Sequence, residues 1–165
     1  MSSQRLGVKL DTVYPSTAAN TVGFPGLGAT HVTPEGNTYV LMQADGAVTK
    51  ELFYTYDETT WQIEDPIELA VHPADTKTKP LCVSTVTLAD NEYAWVIVGP
   101  HNGFTANSAE ALDADDVLYG HATAGKLADT ASACFVPMVT VRAAIGSATT
   151  GTFVAMARMY AYDLP

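Results

Sequence analysis

The sequence predicts an all-β fold, a compact β-barrel or sandwich of about eight strands with an extended N-terminal arm. Three observations carry this. Between Glu92 and Ala144, short runs of β-branched and aromatic residues alternate with Gly, Pro, Asn and Asp at the spacing of a strand meander. Within the first of those runs, Tyr93, Trp95 and Ile97 share one face and Ala94, Val96 and Val98 the other. Both faces are apolar, so the strand is expected to be covered on both sides. Residues 1–36 differ from the rest: they are rich in Gly, Pro, Thr and Ser and keep no hydrophobic period.

The 1–36 segment reads as an arm packed along its own domain or a neighbour, because Val13, Tyr14, Val22, Phe24 and Leu27 are too apolar for a solvated tail. Deleting residues 2–30 is expected to leave a folded body. That body, 37–165, opens with the strand NTYVLMQA. Asp45-Gly46 is expected to turn it back as a hairpin into VTKELFYTY. The following stretch, 57–80, is the most acidic part of the chain and reads as a loop with at most one short helix. Thr60 would cap a turn over Trp61, Ile63 and Glu64, which Pro66 would end. LCVSTVTL (81–88) is a strand, and Ala89 to Glu92 turn it into the Trp95 strand. Asn102-Gly103 predicts a tight reversal into Phe104. Residues 107–115 read as a loop and DVLYGHA as a strand. PMVTVRAAI and GTFVAMARMYAY form a closing hairpin, the latter as one continuous strand. No internal repeat stands out.

Charge is the compositional outlier. Eight basic residues against eighteen acidic give a net −10. Arg5 and Lys9 offset Asp11 and Glu35 in the arm, so the body carries all of it. Nucleic-acid binding needs clustered Lys and Arg, which this sequence lacks. No run of ~20 apolar residues could span a bilayer, and MSSQRLGVKL has no signal-peptide h-region. The expectation is a soluble chain made in a cytoplasm, with no membrane partner. Cys82 and Cys134, each in an apolar run, read as two buried thiols in preference to a disulfide.

Catalytic and metal chemistry finds little support. Asp113, Asp115 and Asp116 lie near His101 and His121, but LDADDVLYG has the wrong offsets for a calcium loop and reads as solvated acids. The four histidines form no H-x-x-x-H or H-x-H pair. There is no G-x-S-x-G, and GFPGLGAT lacks the G-K-[ST] of a phosphate loop. A non-enzymatic chain without cofactor or metal is expected. Trp95 reads as core. Trp61, flanked by polar residues, is the candidate for an exposed contact with a partner.

Taken together, Tyr93-Ala94-Trp95-Val96, the turns at Gly99 and Gly103, Asp116-Val117-Leu118-Tyr119 and Ala124-Gly125-Lys126-Leu127 resemble the decoration, or cement, proteins of tailed-bacteriophage capsids. The similarity runs over residues 37–160, while the 36-residue arm departs from the family pattern. The resemblance implies a virion structural protein made in the host cytoplasm and carried on the outer capsid surface. It would cluster at symmetry axes as a homo-oligomer, a trimer, and bridge subunits of the major capsid protein. On that reading Tyr14, Phe24 and Leu27 are the expected partner contacts, with Arg5 and Lys9 as electrostatic anchors. The alternative is a head-fibre or tail component with receptor or glycan binding, for which Trp61 would be the contact.

Overall fold

The computed structural model describes residues 8–68, 78–147 and 149–163. The fold is all-β, with no α-helix among the described residues. The strands are β1 (Thr30–Val32), β2 (Thr38–Ala44), β3 (Phe53–Asp57), β4 (Gln62–Pro66), β5 (Thr78–Ser84) and β6 (Tyr93–Ile97), then β7 (His101–Asn107), β8 (Tyr119–Gly120), β9 (Leu127–Ala128), β10 (Cys134–Phe135), β11 (Val139–Val141), β12 (Thr150–Ala155) and β13 (Tyr160–Asp163).

Five of these close a barrel. Going round, β2 pairs with β4, β4 with β3, β3 with β5, β5 with β6, and β6 returns to β2. The β2–β4 junction is parallel and the other four are antiparallel. Closure leaves no free ladder edge in the ring. The strand period of two then sorts side chains inside and out. Val40, Met42, Ala44, Tyr54, Tyr56, Ile63, Cys82, Ala94 and Val96 form one cluster drawn from all five strands, which fills the interior. Tyr39, Leu41, Phe53, Leu81, Val83, Tyr93, Trp95 and Ile97 face outwards and are buried all the same. They are covered by the N-terminal segment and by the later strands. The apolar two-faced run at β6 thus has cover on both sides, as its sequence predicts.

From β5 the sheet continues outwards through β13, β10, β8 and β9, and a second sheet has the order β11, β12, β7. Phe104 of β7 and Phe153 of β12 meet Phe53 of the barrel at 6.0 and 5.7 Å between ring centroids. Fully burying an aromatic side chain of this size is worth roughly 1.5–3 kcal/mol, so this contact is a main fastening between sheet and barrel. Cys82 and Cys134 are both buried, in the interior and outer clusters respectively, and are not bridged.

The barrel contains a repeat that the residues conceal. Forty positions separate β2 from β5 and β3 from β6, and the two ladders keep one register. Leu41 opposes Trp95 and Leu81 opposes Thr55, while Met42 opposes Ala94 and Cys82 opposes Tyr54. Between the strands of each half, Val48 and Leu88 pair with each other. Glu51 and Asn91, again forty apart, both have φ 64°. Glu51 N–H bonds Ser84 O at 2.8 Å, and Asn91 N–H bonds Ala44 O at 2.9 Å. The halves are related by an approximate two-fold axis.

Four local expectations need correction. Asp45-Gly46 does not close a hairpin between neighbours, since β2 pairs with β1, β4 and β6 and not with β3. Residues 62–66, expected to be loop or a helical turn, form strand β4. Ile63 sits inside the barrel while its neighbours hydrogen-bond to β2 and β3, and the run ends at Pro66. Asn102-Gly103 lies within β7, and the chain reverses earlier, at Gly99-Pro100, whose peptide is cis. The closing strand is divided: β12 ends at Ala155, and β13 leaves the β11–β12 hairpin to join β5 and β10.

Candidate functional site

The N-terminal segment builds a groove against the barrel. Its backbone is a string of turns in which Ala18 N–H bonds Pro15 O, Thr21 N–H bonds Ala18 O and Phe24 N–H bonds Thr21 O, at 2.8, 2.8 and 3.1 Å. Each donor lies three residues after its acceptor, the 3-10 pattern, and Ala18–Asn20 form one short 3-10 helix among these turns. Two bonds tie this coil to the barrel. Tyr14 and Tyr93 exchange N–H···O bonds of 2.8 and 2.9 Å. The rings follow: Phe24 meets Tyr14 at 5.5 Å and Tyr93 at 5.2 Å, both edge-on. Downstream, Leu41 N–H bonds Ala29 O and Gly28 N–H bonds Leu41 O, each at 2.9 Å, and β1 continues along β2.

The groove left between this coil and β6 encloses about 600 Å³. Its walls include Tyr14, Ala18, Phe24 and Pro25, with Trp95 at its base. Trp95 is buried, and its indole Nε1–H has no hydrogen-bond partner. Such an orphan donor costs about 1–3 kcal/mol relative to a satisfied one. Val8 and Val22 also line the groove and are exposed, Val22 completely (103%). Lys9 stands at the same groove, exposed and without an ion-pair partner among the described residues.

The sequence-derived contact residues divide accordingly. Tyr14 and Phe24 are half-buried against their own barrel, and Lys9 joins them at the groove. Leu27 is exposed (38%) and is not among the groove's walls. Arg5 lies outside the described residues. Trp61 is half-buried at a separate place. It stacks on Tyr56 at 6.2 Å, its indole lies against Gly28, and the Arg158 guanidinium sits 5.9 Å from its ring. Arg158 also donates to the Tyr56 hydroxyl at 2.9 Å and pairs with Glu58 at 3.0 Å. Burial raises the Tyr56 hydroxyl well above the usual phenol range, so it stays protonated under this cation. Trp95, read from sequence as core alone, also forms the base of the groove, which only the packing of residues 8–25 could reveal.

A smaller cavity of about 260 Å³ lies beside Tyr39, Glu51 and His101. His101 is buried, and its Nε2 shares a 2.8 Å hydrogen bond with the Tyr39 hydroxyl. Its Nδ1 makes no hydrogen bond of normal geometry, although the Gly103 backbone faces it. Burial lowers the imidazole pKa and raises that of the Tyr39 hydroxyl, so both groups are neutral near pH 7.

Among the described residues no group of three or more His, Cys, Asp or Glu could hold a metal ion. Asp113 and Asp115 are exposed. Asp116 accepts from the Asp113 backbone N–H, and His121 Nδ1 accepts from Thr123 N–H at 2.9 Å, so these groups are used in their own turns. No helix of the described residues is long and apolar enough to cross a membrane. No protein-family model matches the sequence, and no curated protein matches it.

Proposed function

We propose that this chain is a capsid decoration protein, which binds the outer surface of a tailed-phage head and stabilises contacts between major coat subunits as a homotrimer. The observation that carries the reading is the N-terminal groove, a recessed apolar surface with an exposed cation and exposed valines beside it, anchored on a closed barrel. Such a surface suits attachment to another protein. The motifs behind the family resemblance fall on separate strands and turns. Tyr93 to Val96 lie in β6, Tyr119 opens β8, and Ala124 to Lys126 lie in the β8–β9 turn.

Quantitative peptide mass spectrometry of purified particles from the source of this sequence tests the reading. One copy per coat subunit, or a simple fraction of that, is the expected result. A handful of copies per particle would move the chain to a tail or vertex, and absence from particles would refute it.

A further inference from the structure

We propose that the groove receives an extended segment of the coat partner in which an apolar side chain stands next to a carboxylate. This rests on the decoration reading and names what that surface binds. The walls around Trp95 are apolar and the space, about 600 Å³, lies in the range of ordinary ligand pockets. An apolar side chain entering it would also cover Val8 and Val22, whose exposure is otherwise unfavourable. Lys9 supplies the polar half of the match. It is a cation with no ion-pair partner among the described residues, in a chain of net −10, so a nearby carboxylate from outside would complement it. The chain's own first seven residues, MSSQRLG, cannot provide that group, because they contain Arg5 and no acid. A second copy is the rival occupant, and the peptide-free titration below tests it. An extended segment of a different protein, with an apolar residue beside an acid, supplies both halves of the match.

The test has two arms. In the first, N-acetyl-Leu-Asp-Leu-amide is titrated into the ¹⁵N-labelled full chain, with the Trp95 indole N–H and the Thr21 and Gly23 amides as reporters. Saturable shifts at these three sites are expected. The Leu-Asn-Leu peptide, or the Lys9→Glu chain, should bind about three- to five-fold more weakly, the scale of one exposed charge pair. No shift, or equal binding of the Asp and Asn peptides, overturns the proposal. So do concentration-dependent shifts without peptide (a second copy in the groove), or binding that requires removal of residues 2–7. In the second arm, wild type, Lys9→Glu and Thr17→Trp are sedimented with particles assembled without this chain. Thr17 is an exposed groove residue, so tryptophan there fills the groove without entering the core. Loss of sedimentation in Thr17→Trp and weaker sedimentation of Lys9→Glu, each folded by its NMR spectrum, are expected. Sedimentation of wild type and variants alike overturns the groove proposal and leaves the decoration reading standing. If wild type itself fails to sediment, the decoration reading falls, and with it the coat segment as occupant.

Discussion

Val48 and Leu88, forty residues apart, each donate a 2.9 Å backbone hydrogen bond to the other's carbonyl, and both side chains are buried in the barrel interior. They stand where the two halves of the barrel meet. Leu88→Ala should cost about 2–5 kcal/mol, the usual range for a leucine truncated in a packed core. Val48→Ala should cost less. Because the two pack in one cluster, the double variant should depart from the sum of the singles by more than about 0.5 kcal/mol. Urea denaturation of the four proteins measures this, and additivity would show that the two sites do not communicate.

The related positions Glu51 and Asn91 share φ 64° but differ in their tolerance of it. Asparagine enters the left-handed region readily, whereas most L-residues are penalised there by about 1–2 kcal/mol. Glu51→Asn should therefore raise stability by up to about 1 kcal/mol, even after losing the Lys50–Glu51 pair, which is worth less than that. Asn91→Ala should lower it. The denaturation midpoint should move while the m-value stays fixed.

Gly28 is held at φ 77° with the Trp61 indole against it, and a Cβ there would overlap the ring. Gly28→Ala should lower stability by at least about 1 kcal/mol, from backbone strain and the displaced indole together. It should also shift tryptophan emission to the red as Trp61 leaves its place on Tyr56. Unchanged emission would mean that the backbone moves instead.

Acid sensitivity should follow from His101. Its folded pKa lies below the ordinary imidazole value of 6.5 because burial disfavours the cation. The unfolded chain then takes up the proton first as pH falls. The contribution to stability is present above about pH 6.5, declines as pH falls towards the folded pKa, and is gone below it. The slope cannot exceed about 1.4 kcal/mol per pH unit. His101→Gln should flatten the stability profile in that window, and an unchanged profile would assign the slope to other groups.

Removing residues 2–30 was expected from sequence to leave a folded body. The packing predicts otherwise. That truncation uncovers Tyr93 and Trp95, removes the Tyr14–Tyr93 bond pair and takes Ala29 from Leu41. The truncated chain should lose several kcal/mol and bind more of a hydrophobic dye. Point changes such as Lys9→Glu are therefore the better probe of binding.

The parts of the fold legible in the sequence are those set by local pattern. The β6 run shows its two covered faces in Tyr93 to Val98, and the β11–β12 hairpin shows its strands and its Gly146–Gly151 connection. What stayed hidden depends on distant partners. Strand β4 has one interior residue, Ile63, in a polar run, and it is a strand because β2 and β3 lie on either side. The repeat escapes notice because residues 38–57 and 78–97 share only Thr38/Thr78 and Leu41/Leu81, so it survives in register and backbone angles and not in side chains. The groove was half legible: Lys9, Tyr14 and Phe24 carry recognisable chemistry, but nothing local to β6 says that the coil covers Trp95 and leaves its N–H unpaired.

Ring closure also sets a timetable for synthesis. Tyr39 is paired with Ile97, so a chain emerging from the ribosome cannot complete the circuit until the whole of β6 is out. Until then β2 has β1 along one side, but the ladder bonds of its β6 side stay unmade. Pairings so distant in sequence form slowly, and the waiting strand is open to any other nascent chain nearby. In a cell making many copies at once, that interval before closure is when this protein is most vulnerable to misassembly.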